Sequence, residues 1–354
     1  MSIELYNSDL TRDNKNTVAK EDQKRELGWL IKDIIKPDLP SIIDNVEECI
    51  ELLNSNGISR MPITTGALST QPNSPQIEGI VTRQGLNIIS IQFTAKFQQF
   101  HKGQVINFKE DDNIDITKPV EKFVLSQLGI INKGLSDMLQ ELEDLEMIDD
   151  DTKFVDAFSK IITSIIRLIN VLQNPPNELN FPFDNNAILK HFYSTNYEEL
   201  CNSIHHLLSL EIVLSGDQLV LDFRNLDKVV KNPWCHIDPI DGTSIVDKIR
   251  EQQKHNRNMK LEDILASNNI IVEEPTMFNN LIQSTFNKES TTLQQAQFHI
   301  SRCVTFDNKV VTEKEKVSIS CSDQELINLV EKLSNLEERI SNHFNNLSYI
   351  DREL

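Results

Sequence analysis

The stretch VLSQLGIINKGLSDMLQELEDL, residues 124–145, sets Val124, Leu128, Ile131, Leu135, Met138, Leu142 and Leu145 at alternating steps of four and three. That is the period of a helix burying one narrow seam against other helices. Pro119 suits the first turn ahead of it. After an Asp149-Asp150-Asp151 turn and cap, a second stripe runs through Phe154, Phe158, Ile161, Ile165, Leu168 and Leu172, widened by Val155, Ile162, Ile166 and Ile169. So wide a stripe belongs to a helix at the centre of a bundle. Asn174-Pro175-Pro176-Asn177 stops it.

Outward from this pair, a helix is expected over 21–54, with Ile35, Leu39, Ile42, Val46, Cys49 and Leu53 as its seam and a kink or break at Pro37 and Pro40. A fourth helix, capped by Asp184, would turn Leu189, Tyr193, Tyr197, Leu200, Ile204 and Leu207 inward. A last one, capped by Ser322, would bury Leu326, Val330, Leu333, Leu336, Ile340, Phe344 and Leu347. The predicted core therefore includes Leu128, Ile131, Leu135, Met138, Leu142, Leu145, Phe158, Ile165, Leu168, Leu200, Ile204, Leu333 and Ile340. The bland reading is that these ribbons pack on each other; the alternative is a zipper that recruits a partner helix.

Between the helices the period changes. Ile77–Thr82, Leu86–Phe93 and Val105–Phe108 are short β-branched and aromatic runs punctuated by glycine, and Met61–Ser74 has loop composition. Ile212-Val213-Leu214 and Leu219-Val220-Leu221 flank a Ser-Gly-Asp-Gln turn, as in a hairpin. Phe298, Ile300, Arg302 and Val304 alternate, as do Val317, Ile319 and Cys321. The predicted fold class is α+β: an antiparallel bundle of four to five helices plus a small antiparallel β domain, both discontinuous in sequence. Residues 1–20 read as a disordered tail, 21–56, 113–211 and 322–354 as the bundle, and 57–112 and 212–321 as the β domain. The polar region 225–297 reads as a partly disordered insert.

The chain has 354 residues and a formal net charge of −19. Such a balance argues against nucleic acid and against a polybasic membrane module, both of which need Lys and Arg. Ten glycines are too few for folds built on phosphate-cradling loops. The five cysteines are scattered and odd in number, which fits a reducing compartment better than a disulfide framework. No apolar run has the length of a signal peptide core or a membrane span, so an intracellular protein is expected.

Four constellations carry possible chemistry. Asp238-Pro239-Ile240-Asp241-Gly242-Thr243 resembles the metal- and phosphate-binding signature of the inositol-monophosphatase family, in which paired carboxylates hold Mg²⁺. The acidic pair that family places upstream is absent here, since Glu273-Glu274 lies downstream, and the plain alternative is an Asp-Pro and Asp-Gly turn. Asp111-x-Asn113-x-Asp115 opens like a calcium loop, but Ile116 replaces the required glycine and Lys122 the closing Glu. Cys235-His236 and His205-His206 are adjacent pairs, with the latter expected on a bundle helix. Neither makes a metal site alone. No catalytic, metal or cofactor residue is therefore assigned.

The arrangement as a whole resembles the Rogdi leucine-zipper family. Arg25-Glu26-Leu27-Gly28-Trp29-Leu30-Ile31 is similar to its first helix, Glu78-Gly79-Ile80-Val81-Thr82-Arg83-Gln84-Gly85 to its first strand and turn, and Pro182-Phe183-Asp184 with Leu200-Cys201 and His205-His206-Leu207 to its later helix. The resemblance implies a helical α domain joined to a small β domain and a non-catalytic role in the RAVE complex, the regulator of the ATPase of vacuolar and endosomal membranes. The partners it implies are a large β-propeller scaffold subunit, a Skp-type adaptor and peripheral-sector subunits of the vacuolar ATPase. It also implies a cytoplasmic protein recruited to membranes through those partners. A Mg²⁺-dependent phosphatase and a coiled-coil tether are the competing expectations.

Overall fold

A computed structural model describes residues 12–65, 74–109, 122–194, 196–256, 258–272 and 291–351. Its first helical stretch joins α1 (Arg12–Trp29), a π-turn (Leu30–Ile35) and α2 (Lys36–Leu53). The N–H of Lys36 reaches back five residues to the carbonyl of Ile31. The wide turn ends where Pro37 has no N–H to donate, so the expected irregularity is a π-bulge rather than a break. The predicted tail 1–20 is corrected in part, because the chain is helical from Arg12. Residues 1–11 lie outside the described residues.

Helix α3 (Ser126–Glu146) carries the ribbon read above. Leu128, Ile131, Leu135, Met138, Leu142 and Leu145 are all buried. Val124 is not part of the ribbon. It lies in a two-residue strand before the helix and is half exposed. Helix α4 (Asp151–Gln173) starts on Asp150, whose carboxylate accepts the N–H of Lys153 at 3.0 Å. The two helices come close at Gly134, where a Cβ would sit 2.4 Å from a methyl of Leu168. Phe158, Ile165 and Leu168 are buried beneath this contact. The apolar faces of α2, α3, α4 and the C-terminal helix meet in turn to close the bundle. Each fully buried side chain contributes roughly 1.5–3 kcal/mol.

Two antiparallel sheets complete the fold. Sheet A holds β1 (Ile58–Thr64), β2 (Gln76–Gln84), β3 (Asn87–Lys96) and β4 (Val105–Phe108) in that order, with β5 (Phe123–Val124) beside β3. Met61–Thr64 thus belongs to a strand, correcting the loop expected there; Pro62 is tolerated because β1 is an edge strand. Sheet B follows the order β6-β7-β9-β8, from β6 (His206–Ser215), β7 (Gln218–Lys228), β8 (Cys303–Phe306) and β9 (Lys309–Ser322). Phe93 and Phe108 of sheet A stack at 4.3 Å, and both meet the edge of Phe223 from sheet B. One apolar core runs through the bundle and both sheets.

Three further expectations are corrected. The fourth helix is two short pieces, α5 (Ala187–Phe192) and α6 (Tyr197–Leu200), after which the chain enters β6. His206 and Leu207 therefore open a strand, with His205 in the bend just before it. Ile204 is not core but 81% exposed, because it sits in the connection; Leu200 is half-buried. Eight consecutive buried residues, Leu207–Leu214, leave no period with which to tell strand from helix.

Within 225–297, β7 runs on to Lys228, and α7 (Ile245–His255) and α8 (Leu261–Ser267) pack around the fully buried Trp234. Residues 273–290 lie outside the described residues. Residues 293–302 form α9 (Leu293–Arg302), not a strand. Thr292 caps it, and Ala296 and Ile300, four apart, are its buried residues. The C-terminal helix, α10 (Gln324–Asp351), is capped by Asp323 rather than Ser322: the Asp323 carboxylate accepts the N–H of Glu325 at 2.9 Å. Leu333 and Ile340 are buried along it.

Candidate interaction surfaces

The Asp-Pro-Ile-Asp-Gly-Thr segment forms a closed turn. The N–H of Asp238 donates to Thr243 O and that of Gly242 to Asp238 O, both at 2.9 Å. Asp238 accepts from the N–H of Ile240 at 3.0 Å and pairs with Lys248 at 2.7 Å. Asp241 accepts from the N–H and hydroxyl of Thr243 at 2.9 and 2.5 Å. The Lys248 ammonium holds the Asp238 carboxyl below its ordinary range, and the Thr243 bonds do the same for Asp241. Both carboxylates are used by the turn itself.

The other candidates are placed as follows. Cys235 donates to the side chain of Asn232 at 3.0 Å. His206 lies 3.0 Å from Asp227 on the paired strand. Of the calcium-like loop, only Lys122 is among the described residues, and it donates to Gln84. Among the described residues no three His, Cys, Asp or Glu side chains converge as metal ligands. Burial pushes the thiols of Cys49, Cys303 and Cys321 up to about 11 and that of Cys201 to about 12, which leaves them poor nucleophiles.

Buried polar side chains absent from the sequence reading organise the β region. The Gln127 amide, at the start of α3, lies along β6 like a short extra strand: it accepts from the N–H of Leu214 at 2.6 Å and donates to Leu214 O and Val171 O. Asn186 does the same further along, accepting from the N–H of Leu210 at 3.1 Å and donating to Leu208 O at 2.7 Å. At the opposite edge Arg250 donates to the carbonyl of Cys303 and Asp247 accepts from Thr305. Arg83, fully buried, joins sheet A to the start of α10 through Asp323 at 2.5 Å and Glu325 at 2.7 Å.

A second arginine, Arg224 of β7, holds Glu211 and Asp222 at 2.7 Å each and Glu313 at 3.3 Å, with its guanidinium over the ring of Phe181. Asp184 adds a further carboxylate to this neighbourhood. Burial, helped by the nearby Glu211 and only partly offset by the N–H of Asn186 and the charge of Arg224, raises it to about 7. Its Oδ1 is buried with no hydrogen-bond partner among the described residues.

The molecule thus has no converging reactive centre among its described residues, but a helical body carrying two sheets. The family model for the Rogdi leucine zipper containing protein matches residues 26–348. The chain belongs to this family. A curated relative, Regulator of V-ATPase in vacuolar membrane protein 2 of Saccharomyces cerevisiae (strain ATCC 204508 / S288c), is 37% identical over 350 residues, covering 98% of this chain and 97% of the relative. In this Rogdi-family chain the leucine ribbons that suggest a zipper face inward, onto one another and onto the sheets. No helix among its described residues is long and apolar enough to cross a membrane.

Proposed function

We propose that this chain is a non-catalytic subunit of a complex that promotes assembly and reassembly of a vacuolar proton-pumping ATPase from its peripheral and membrane sectors. The observation that carries this reading is the 37% identity, over nearly the whole length of both chains, to a protein named as a regulator of that pump. The physical picture supports it: the α-helical ribbons are consumed by the chain's own core, and the candidate carboxylates by a local turn. What is left for function is surface. The proposed partners are a large β-propeller scaffold subunit, a Skp-type adaptor reached through the complex, and peripheral-sector subunits of the pump, with recruitment to vacuolar and endosomal membranes through them. A subunit of this kind acts by holding two others at high effective concentration in productive geometry.

The test is a gene deletion followed by starvation and refeeding. Assembled pumps should be scarce after refeeding and restored by the wild-type gene. Normal reassembly in the deletion strain would remove the reading. Purified chain assayed on inositol phosphates with Mg²⁺ should stay inactive, and turnover abolished by Asp238→Asn would replace the proposal with a phosphatase.

A further inference from the structure

The outer edge of β6 is matched group by group, with one interruption. Ser215 pairs with Gln218 across a two-residue turn, so alternate residues counting back from Leu214 turn their backbone groups away from β7. Those residues are Leu214, Ile212, Leu210 and Leu208. Gln127 takes the N–H and C=O of Leu214, and Asn186 takes the N–H of Leu210 and the C=O of Leu208. The N–H of Leu208 donates to Cys201 O at 2.8 Å. Between the two amides stands Ile212, which is buried. Its N–H and C=O, and the C=O of Leu210, meet no partner among the described residues. Buried backbone groups left so are rare.

A cavity of about 130 Å³ opens at this gap. Ile212 lines it together with Leu125 and Gln127 from the start of α3 and Asp184 and Ala187 from the turn into α5. Asp184 brings the Oδ1 that has no hydrogen-bond partner among the described residues. The charged residues of the lining, Asp184 and Glu178, are both acidic. Arg224, whose charge reaches Asp184, is held by Glu211, Asp222 and Glu313. Lys122, next to the lining residue Phe123, turns to Gln84 instead. The gap therefore calls for one acceptor, to meet the Ile212 N–H, and for donors, to meet the carbonyls and the carboxylate. A primary carboxamide carries both, and it is the group this chain itself places on either side. An ammonium or guanidinium offers donors alone, and a carboxylate acceptors alone. Cofactor and drug-sized ligands need roughly 300–1,000 Å³, so the space suits a single side chain. Phe183, also in the lining and 64% exposed, offers apolar surface to whatever flanks that side chain.

We propose that this cavity receives the side-chain amide of a glutamine from a partner protein, which completes the β6 edge at Ile212 between Asn186 and Gln127. The incoming carbonyl accepts the Ile212 N–H, and the incoming NH2 donates to the carbonyls beside it. Specificity follows from the buried groups, since a side chain of the same length that cannot match them leaves them desolvated and unpaired. The pairing serves any partner that presents such a side chain, whether or not that partner belongs to the pump. The competing accounts are ordered water bridging the gap and a small free amide as the ligand.

The experiment uses the full chain, labelled with nitrogen-15, and a Leu-Gln-Leu peptide blocked by acetyl and N-methylamide ends, so that the glutamine holds the peptide's one primary amide. Amide chemical shifts are followed during titration. Comparison probes are the same peptide with Met, Glu or Lys for Gln, and propionamide. The Gln peptide should move the Ile212 amide, and the Met, Glu and Lys peptides should bind at least ~10-fold more weakly. Propionamide should bind more weakly than the Gln peptide at the same place. Ser126→Trp and Ala187→Leu, at two exposed positions of the lining, should each weaken the Gln peptide by at least ~10-fold while melting like wild type. Either variant serves if the other does not fold. Any of four results overturns the proposal: no shift at Ile212 with the Gln peptide, equal binding of the Met, Glu or Lys peptide, propionamide binding as tightly as the peptide, or binding unchanged in a folded lining variant.

Discussion

Sheet B and sheet A share antiparallel pairing but not their relation to solvent. In β6 every residue from Leu207 to Leu214 is buried, whereas β4 and the latter half of β1 bury alternate residues and give the rest to water. Sheet B is enclosed along β6, where two side-chain amides cover the edge, while its strand β9 gives alternate residues to water. Among the described residues, one face of sheet A and the β4 edge stay uncovered. A buried sheet needs every backbone group matched inside the protein, while an open sheet can leave some to solvent or to a partner. The enclosed sheet is therefore where single polar substitutions should be costly, and the open one where they should be cheap.

The largest effect is expected for Arg224→Met. It leaves Glu211 buried without its cation, while Asp222 keeps Lys316, and urea unfolding should show a loss of about 3–5 kcal/mol. Gln127→Leu strips the partners from Leu214 and Val171 and should cost about 2–4 kcal/mol in the same measurement. A pH series sharpens the contrast further. Asp184 is raised to about 7 from an ordinary 3.8, so the folded state holds a proton there that the unfolded chain has released. This contribution to stability is fully present below the unfolded value and lost as pH rises toward 7, at up to about 1.4 kcal/mol per unit. Asp184→Asn should flatten the slope of stability against pH between about 5 and 7. The smallest change belongs to sheet A: Ile80→Thr, on its open face, should stay within about 0.5 kcal/mol. A large loss there would mean that the face is covered.

What could be read from the sequence follows the same division. Ribbons with one buried face keep their period, so α2, α3, α4 and α10 are visible in the spacing of Leu, Ile and Phe alone. The hairpin of β6 and β7 is visible from its Gly turn, but the strand before Glu211 is not, since burial on both faces erases alternation. The Trp234 region hides for another reason: α7 buries only Val246 and Ile249, so its composition reads as solvated chain. Gln127 and Asn186 are the hardest to foresee. Their role depends on a sheet edge formed by residues 22 to 87 positions later, and a buried amide beside Leu128 has no local signature. The Asp238 turn shows the reverse error, in which a motif is legible but its carboxylates are already engaged.

The π-turn at Leu30–Ile35 has a consequence for the start of the molecule. Leu27, Ile31, Ile35 and Leu39 are spaced by four throughout, and all four are buried. On a regular helix each step of four overshoots by roughly 40°, so the line would wander off the bundle within a few steps. One loosely wound turn absorbs the surplus and keeps Leu27 in line with Leu39. Removing a single residue from that turn would rewind it and swing the preceding helix by roughly 100°, sending Leu27 toward water and a polar flank toward the core. The aim of everything N-terminal to Pro37 is thus set by one extra amino acid.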